Sequence, residues 1–327
     1  MSPPPLDRAR AAARPRSRVR AASAVGAALT LAVALASPSA GAKCDGDLAA
    51  ALALAKEADR ERAVDVAAAI AKHKRATELA PSRASLFWRL AVSQLKAEEY
   101  AAAAESFGRA WKLDPKHAGY AAAHGTALAR VAARGGGDFA AARAPLEAAL
   151  SLDPNHADAH HELGDVLLHL HDDRGALVHY TRAVELAPAH APHWAALGDL
   201  YLRLRLLEQA EQTLAASLEV VEGDASRFPL LMLLGQTLDR RGRPADALPR
   251  FEQAKAACGA CGGPGQAIVY FSLGMSYAAQ SPPRRAEAIQ NLTAFSKMIC
   301  RGAAASRYAD ACSQAHDRIA RLGSAIP

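Results

Sequence analysis

The feature of this chain that most limits its possible folds is a residue pattern that returns about every 34 positions. A leucine is followed by a small residue, an alanine usually comes 12 residues later, and a bulky side chain follows after four more. The leucine–small pairs are Leu90-Ala91, Leu163-Gly164, Leu197-Gly198, Leu234-Gly235 and Leu273-Gly274. Prolines at 81, 115, 154 and 188 follow at intervals of 34, 39 and 34 residues. This period is typical of a stacked helical array, in which each repeat packs on its neighbours.

Apolar spacing within a unit predicts helices. Phe87, Leu90, Ala91 and Gln94 are separated by three, one and three residues, which places them on one face of a helix. The prolines are expected to end the second helix of a unit, because proline cannot continue a helix.

Glycines recur at one position of the predicted first helix, as in Gly198. Each costs about 1 kcal/mol relative to alanine inside a helix. A cost repeated in register indicates that the paired helix approaches closely at this position. We expect Ala176, Ala210 and Ala247 to supply the facing small residues.

These residues resemble the tetratricopeptide repeat (TPR) family, whose unit is a pair of antiparallel helices of about 34 residues. The resemblance implies an all-α solenoid, a right-handed superhelix of about seven hairpins ending in a capping helix. The array is expected over residues 43–303, with the capping helix and tail at 304–327. The predicted units are 48–81 (degenerate), 84–115, 118–154, 157–188, 191–222, 228–259 and 267–300.

The first 42 residues have the layout of a secretory signal peptide. Six arginines precede an uncharged apolar run over 21–36, and Ala40-Gly41-Ala42 fits a cleavage signal. The run of about 16 residues is shorter than the roughly 20 that a spanning helix needs. We therefore expect an exported protein, periplasmic or secreted, and the alternative is an uncleaved N-terminal anchor.

The basic net charge of +6 is mostly that of the leader. Residues 1–42 carry six arginines and one aspartate, so the remainder has a net charge of about +1. A nearly neutral mature chain lacks the basic surface that nucleic-acid binding requires. Nucleic acid is therefore not an expected partner.

Catalytic motifs are missing from the sequence. There is no G-x-S-x-G, and the glycine runs at 135–137 and 262–265 are not followed by the Gly-Lys-Ser/Thr of a phosphate loop. The sequence predicts a protein that is not an enzyme and that needs no cofactor.

Histidines are concentrated between positions 156 and 193. His156 and His160 have the i, i+4 spacing that can hold a metal ion on a helix. We favour solvated or packing roles for the group, and no metal site is predicted. The group comprises His156, His160, His161, His169, His171, His179, His190 and His193.

Five cysteines are present, and four of them are candidates for disulfides in an exported protein. Pairing of Cys258 with Cys300 and of Cys261 with Cys312 is one possibility. Local pairing, Cys258 with Cys261 and Cys300 with Cys312, is the other. Zinc binding and redox activity at Cys258 and Cys261 are the minor alternatives, and Cys44 is left free or intermolecular.

The resemblance implies a function in binding, because the first helices of TPR units line a groove. We expect a protein–protein interaction scaffold of the cell envelope that docks a peptide or protein segment, with Phe271 and Met275 as apolar anchors. The alternatives are an assembly factor that uses the convex face, or a redox or metal-handling protein. The expected groove residues are Trp88, Lys96, Arg130, His161, Asp165, His169, Asp199, Arg203, Gln236, Asp239, Arg240, Phe271 and Met275.

Overall fold

A computed structural model of the chain describes residues 44–259, 261–301 and 304–324, with side chains from residue 47 onward. The chain divides into residues 1–42 and the unit Lys43–Pro327, which holds the described helices. The predicted signal peptide, its cleavage site and the side chain of Cys44 lie outside the described residues. None of the helices in the described part is long and apolar enough to span a membrane.

The described part of Lys43–Pro327 is an array of helical hairpins, which confirms the predicted all-α solenoid. Each odd-numbered helix packs against the even-numbered helix that follows it, and each hairpin packs on the next. The helices are α1 Cys44–Glu61, α2 Val66–Leu79, α3 Ala84–Lys96, α4 Tyr100–Leu113, α5 Ala118–Ala133, α6 Ala140–Leu152, α7 Ala157–His169, α8 Asp173–Leu186, α9 Ala191–Arg203, α10 Leu207–Val220, α11 Asp224–Arg240, α12 Pro244–Ala257, α13 Pro264–Ala279, α14 Arg285–Ile299 and α15 Ala309–Gly323.

Helix ends agree with the proline positions. The helices α2, α4, α6 and α8 each end two residues before one of the four periodic prolines. The turn between α5 and α6 is long, as the glycines at 135–137 indicate, and the prolines at 282 and 283 lie in the long turn before α14. After α14, a short 3-10 turn (Ala305–Tyr308) leads into α15, which packs on α14 and α13.

The in-register glycines are sites of close helix approach, but the facing residue differs from the prediction. A Cβ atom added to Gly198 would lie 2.6 Å from Cδ2 of Leu214, and one added to Gly235 would lie 2.5 Å from Cε1 of Phe251. The predicted facing residue Ala210 is fully buried but is not the nearest neighbour. The bulky side chain four residues later, not the alanine, enters the space that the glycine leaves.

A polar network stabilises the first two hairpins. The Asp59 carboxylate pairs with both Arg62 and Arg89, and its Oδ1 lies 3.3 Å from Nε2 of His73. Ser93 Oγ lies 3.1 Å from His73 Nδ1 and accepts a hydrogen bond from Arg62 Nε at 2.9 Å. Burial of the imidazole, reinforced by the Arg62 charge, lowers the pKa of His73 to about 4. His73 is therefore neutral in the folded protein near neutral pH.

This network predicts an acid-sensitive stability. The unfolded chain binds a proton at His73 near pH 6.5, whereas the folded chain does so only near pH 4. Stability thus rises with pH across this window and falls as the pH drops. We expect His73 to contribute about 2–3 kcal/mol to the loss between pH 7 and 4.5.

Urea unfolding of the wild type and of His73→Gln at several pH values measures this contribution. The variant is expected to lose less stability than the wild type over the window, because it no longer binds this proton. Equal losses in the two proteins would show that His73 is not a source of the acid sensitivity.

Candidate functional site

A cavity of about 750 Å³ lies along the first helices of four consecutive hairpins, α3, α5, α7 and α9. We call it the histidine cavity. All of its lining residues belong to these helices or to the residues that cap their N-termini. They are Trp88, His117, Gly119, Tyr120, Ala122, Ala123, Thr126, Arg130, His156, Asp158, Ala159, His161, Glu162, His190, Pro192 and His193.

The repeat places a histidine at the N-cap of three successive first helices. His117 Nδ1 accepts a hydrogen bond from the backbone N–H of Tyr120 at 3.3 Å, and His156 Nδ1 accepts one from Ala159 at 3.2 Å. These bonds satisfy donors that a helix start leaves unpaired. His190 holds the same position on α9 but makes no side-chain capping bond.

His193 lies at the floor of the histidine cavity. It is 1% exposed, and its ring centroid is 4.3 Å from that of His190 and 4.9 Å from that of His161. Burial, together with the charges that His161 and His190 would carry, lowers the pKa of His193 to about 4. The imidazole is therefore neutral near pH 7.

A carboxyl group and a guanidinium group also lie close together in this cavity. Glu162 is largely buried, which raises its pKa to about 7, and Arg130 opposes this shift with Nη2 at 3.6 Å from Oε1. On the neighbouring turn of α7, Asp165 accepts a 2.5 Å hydrogen bond from the Tyr180 hydroxyl. The cavity thus offers a guanidinium cation and a buried carboxyl group whose pKa lies near neutral pH.

Two further cavities lie toward the C-terminus. The arginine cavity, of about 510 Å³, is lined by Leu202, Arg203, Arg205, Leu207 and Arg240. The C-terminal cavity, of about 410 Å³, lies between α11, α12, α13 and α15. It is lined by Gln236, Asp239, Arg240, Phe251, Ile268, Phe271, Ser272, Met275, Ser276, Ala279, Gln314 and Arg318.

The structure distributes the predicted groove residues over these three cavities. Trp88, Arg130 and His161 line the histidine cavity, and Arg203 lines the arginine cavity. Arg240 lines both the arginine cavity and the C-terminal one. The other predicted groove residues that line the C-terminal cavity are Gln236, Asp239, Phe271 and Met275.

Four predicted residues lie outside the lining of these cavities. Lys96 Nζ donates to the carbonyl oxygen of Arg62 at 2.8 Å, and the ring of His169 stacks on Phe139 at 3.9 Å. Asp165 is the hydrogen-bond acceptor of Tyr180, and Asp199 is exposed on α9.

The histidine pair singled out by its i, i+4 spacing is not brought together as a ligand set. His156 caps α7, whereas His160 Nδ1 lies 2.9 Å from His179 Nδ1 and His160 Nε2 lies 3.1 Å from the Pro154 carbonyl oxygen. The described residues instead bring together Asp158, His190 and His193.

The cysteines approach each other locally. Cys258 and Cys261 have their Cα atoms 5.1 Å apart with the sulfur atoms in contact, and Cys300 and Cys312 have theirs 5.7 Å apart with the sulfur atoms likewise in contact. Both Cα separations lie in the range of disulfides. The structure therefore favours the local alternative over pairing across neighbouring repeats.

Sequence reasoning missed several cavity residues, among them Tyr120, Asp158, Glu162 and Arg205. A usable signal was the offset between Asp158 and His193, which is close to one repeat length. Side chains one repeat apart lie side by side on adjacent first helices, so they face the same cavity.

No family model matches the chain, and no curated protein matches it. Solved structures do resemble it. Pseudomonas aeruginosa PilF is 20% identical over 64% of this chain and 93% of its own, with a TM-score of 0.52. The C-terminal part of a TPR repeat-containing protein from Cytophaga hutchinsonii is 13% identical over 81% of this chain and 98% of its own, with a TM-score of 0.56.

A chain of the APC/C hetero-tetramer Cut9–Hcn1 gives a TM-score of 0.57 at 14% identity, over 81% of this chain and 48% of its own. At such identities the similarity concerns the backbone architecture and not the bound partner. Together with the helical hairpins and their register, these structures identify the fold of this chain as a TPR-type α-solenoid.

Proposed function

We propose that this protein is an exported, non-catalytic interaction scaffold that docks an extended segment of a partner protein along its first helices. The observation that carries the proposal is the composition of the histidine cavity. It is bounded by the first helices and N-caps of four successive hairpins, with no residue from a second helix. A single extended segment that lies in it would contact all four hairpins.

The chemistry of this cavity suits a peptide. Trp88 is 39% exposed, and with Tyr120 and Pro192 it provides an apolar wall. Arg130 and Glu162 add a cation and a carboxyl group. Apolar surface with a few directed polar groups is typical of ligand sites in proteins.

The arginine cavity supports a proposal about the charge of the partner segment. Within the described residues, Arg203, Arg205 and Arg240 form no ion pair and no side-chain hydrogen bond, unlike Arg241 and Arg243, which pair with Glu211. Guanidinium groups bind carboxylates through paired hydrogen bonds. We therefore propose that the docked segment is acidic where it passes this cavity.

Export and the cysteine pairs belong to the same proposal. The arginine-rich leader and the Ala40-Gly41-Ala42 site direct the chain out of the cytoplasm. In an oxidising compartment the two close cysteine pairs would form disulfides, near the end of α12 and between α14 and α15.

Site-specific photo-cross-linking in the source cells tests the docking site. A photo-reactive amino acid replaces Trp88 in one version of the full chain and Met298 in another. Both positions are 39% exposed, but Trp88 lines the histidine cavity, whereas Met298 lies on the second helix α14. We expect one dominant cross-linked protein from position 88 and not from 298, and a recovered chain that begins at Lys43.

Other outcomes would overturn the proposal. Cross-linking from position 298 alone would favour the assembly factor that uses its convex face. The absence of a dominant product at both positions would remove the support for a dedicated docking partner. A recovered chain that still carries residues 1–42 would contradict cleavage of the leader.

Charge reversal in the arginine cavity tests the acidic partner segment. Arg203→Glu and Arg240→Glu would place carboxylates where the segment has its own, so we expect about tenfold or more weaker binding of the identified partner. The control is Arg174→Glu, an exposed arginine of the second helix α8. Binding that Arg203→Glu and Arg240→Glu leave unchanged would contradict this role of the arginines.

A further inference from the structure

Three potential metal ligands from two adjacent hairpins converge on one wall of the histidine cavity. Asp158 is in the first turn of α7, His190 occupies the N-cap position of α9, and His193 lies in the first turn of α9. Their donor atoms all lie within 4.8 Å of one another, and His193 Nε2 is 3.7 Å from Asp158 Oδ1. That distance is too long for a hydrogen bond.

The buried member of this group lacks a polar partner. The His193 side chain is almost entirely inaccessible, yet neither Nδ1 nor Nε2 has a hydrogen-bond partner among the described residues. Buried polar groups are nearly always satisfied, because an unpaired one costs about 1–3 kcal/mol. A metal ion bound at Nε2, the nitrogen nearer Asp158, would satisfy one of the two nitrogens.

The position of His190 supports the same reading. The equivalent histidines His117 and His156 use Nδ1 to cap their helices. His190 makes no such bond, and its ring lies beside His193 instead. Of the three N-cap histidines, this one therefore has its lone pair available to an external ligand.

We propose that Asp158, His190 and His193 form a binding site for a divalent transition-metal ion of the zinc class. Two neutral imidazoles and one carboxylate are a ligand set that Zn²⁺ and its neighbours in the first transition row prefer. Ca²⁺ and Mg²⁺ favour oxygen ligands, so the two imidazoles select against them. This inference does not depend on the proposed docking function.

The three donor atoms must move only slightly closer together to bind one ion. Bonds of about 2.0–2.1 Å in a tetrahedral site hold donor atoms about 3.3 Å apart. Asp158 and His190 are exposed and free to rotate toward the fixed His193. Three protein ligands leave a fourth position, which the surrounding cavity makes accessible to water or to a ligand side chain.

A second histidine pair provides a matched control. His160 and His179 also bring two imidazoles together, with Nδ1 atoms 2.9 Å apart, but this spacing is that of a hydrogen bond between them. The substitution His160→Asn therefore removes a histidine from the same region without affecting the proposed ligand set.

Zinc binding to the full chain is measured by isothermal titration calorimetry. The chain carries a histidine-free affinity tag, has its cysteine pairs oxidised and has any free thiol alkylated. We expect one Zn²⁺ per chain for the wild type and for His160→Asn. His190→Asn and Asp158→Asn are expected to weaken binding at least about tenfold. Both residues are exposed, so these variants should fold, as circular dichroism would check.

Cobalt gives an independent spectroscopic signature. Co²⁺ in the wild type should produce the visible absorption bands of a four-coordinate site, and His193→Asn should abolish them. Absence of zinc binding by the wild type would overturn the proposal. So would zinc binding that His190→Asn and Asp158→Asn leave unchanged, since the ion would then lie elsewhere.

Discussion

Replacing Gly198 with leucine is expected to lower the free energy of unfolding by about 1–3 kcal/mol. A Cβ atom at this position would lie 2.6 Å from Cδ2 and 2.9 Å from Cγ of Leu214 on the facing helix α10. The rest of a leucine side chain would have to displace Leu214, which is fully buried. Chemical denaturation of the wild type and the variant measures the loss.

The matched control is the same substitution at Gly265. This glycine also lies in a first helix, α13, but a Cβ atom there would have no neighbour within 4 Å. Leucine is the better helix former, so Gly265→Leu should leave stability unchanged or raise it by up to about 1 kcal/mol. Equal effects at the two glycines would contradict the close approach of α9 and α10.

Truncating the partner of Gly198 should have a larger effect. Leu214 is 0% exposed and fills the space that the glycine leaves, so Leu214→Ala removes buried contacts and opens a cavity. We expect a loss of about 2–5 kcal/mol in the free energy of unfolding. The control is Leu52→Ala. Leu52 is 47% exposed, so this substitution should lower the free energy of unfolding by less than about 1 kcal/mol.

The two substitutions should partly compensate each other. In the Leu214→Ala background, the leucine introduced at position 198 enters the vacated volume, so the double variant should be more stable than the sum of the single effects by about 1–3 kcal/mol. The double-mutant cycle therefore tests the contact itself. Additive effects would show that the two side chains do not compete for one space.

Sequence periodicity predicted the architecture because the fold is built from local rules repeated in register. Leu197-Gly198 marked a buried first-helix position, and the prolines at 115 and 154 marked helix ends, as the structure confirms. Each of these features depends only on residues within one hairpin or on the neighbouring one. A pattern of one repeat length is sufficient to define them.

The candidate site was harder to predict from the sequence than the fold. Whether a histidine at an N-cap position bonds its own helix, as His156 does, or turns to a neighbour, as His190 does, depends on side-chain rotamers that periodicity does not encode. The facing residue of Gly198 was assigned to Ala210 rather than Leu214 for a similar reason. Small and bulky residues four positions apart lie on the same helix face, and only packing decides which enters the gap.

The histidine cavity also has a mechanical consequence. Helices in this array mainly contact their own hairpin and the adjoining one, so hairpins that are further apart are coupled only through those between them. The curvature of such an array is the sum of small rotations between successive repeats. A segment that touches α3, α5, α7 and α9 together would hold these four repeats in one relative orientation. Its affinity would therefore change whenever force or crowding alters the curvature of the array.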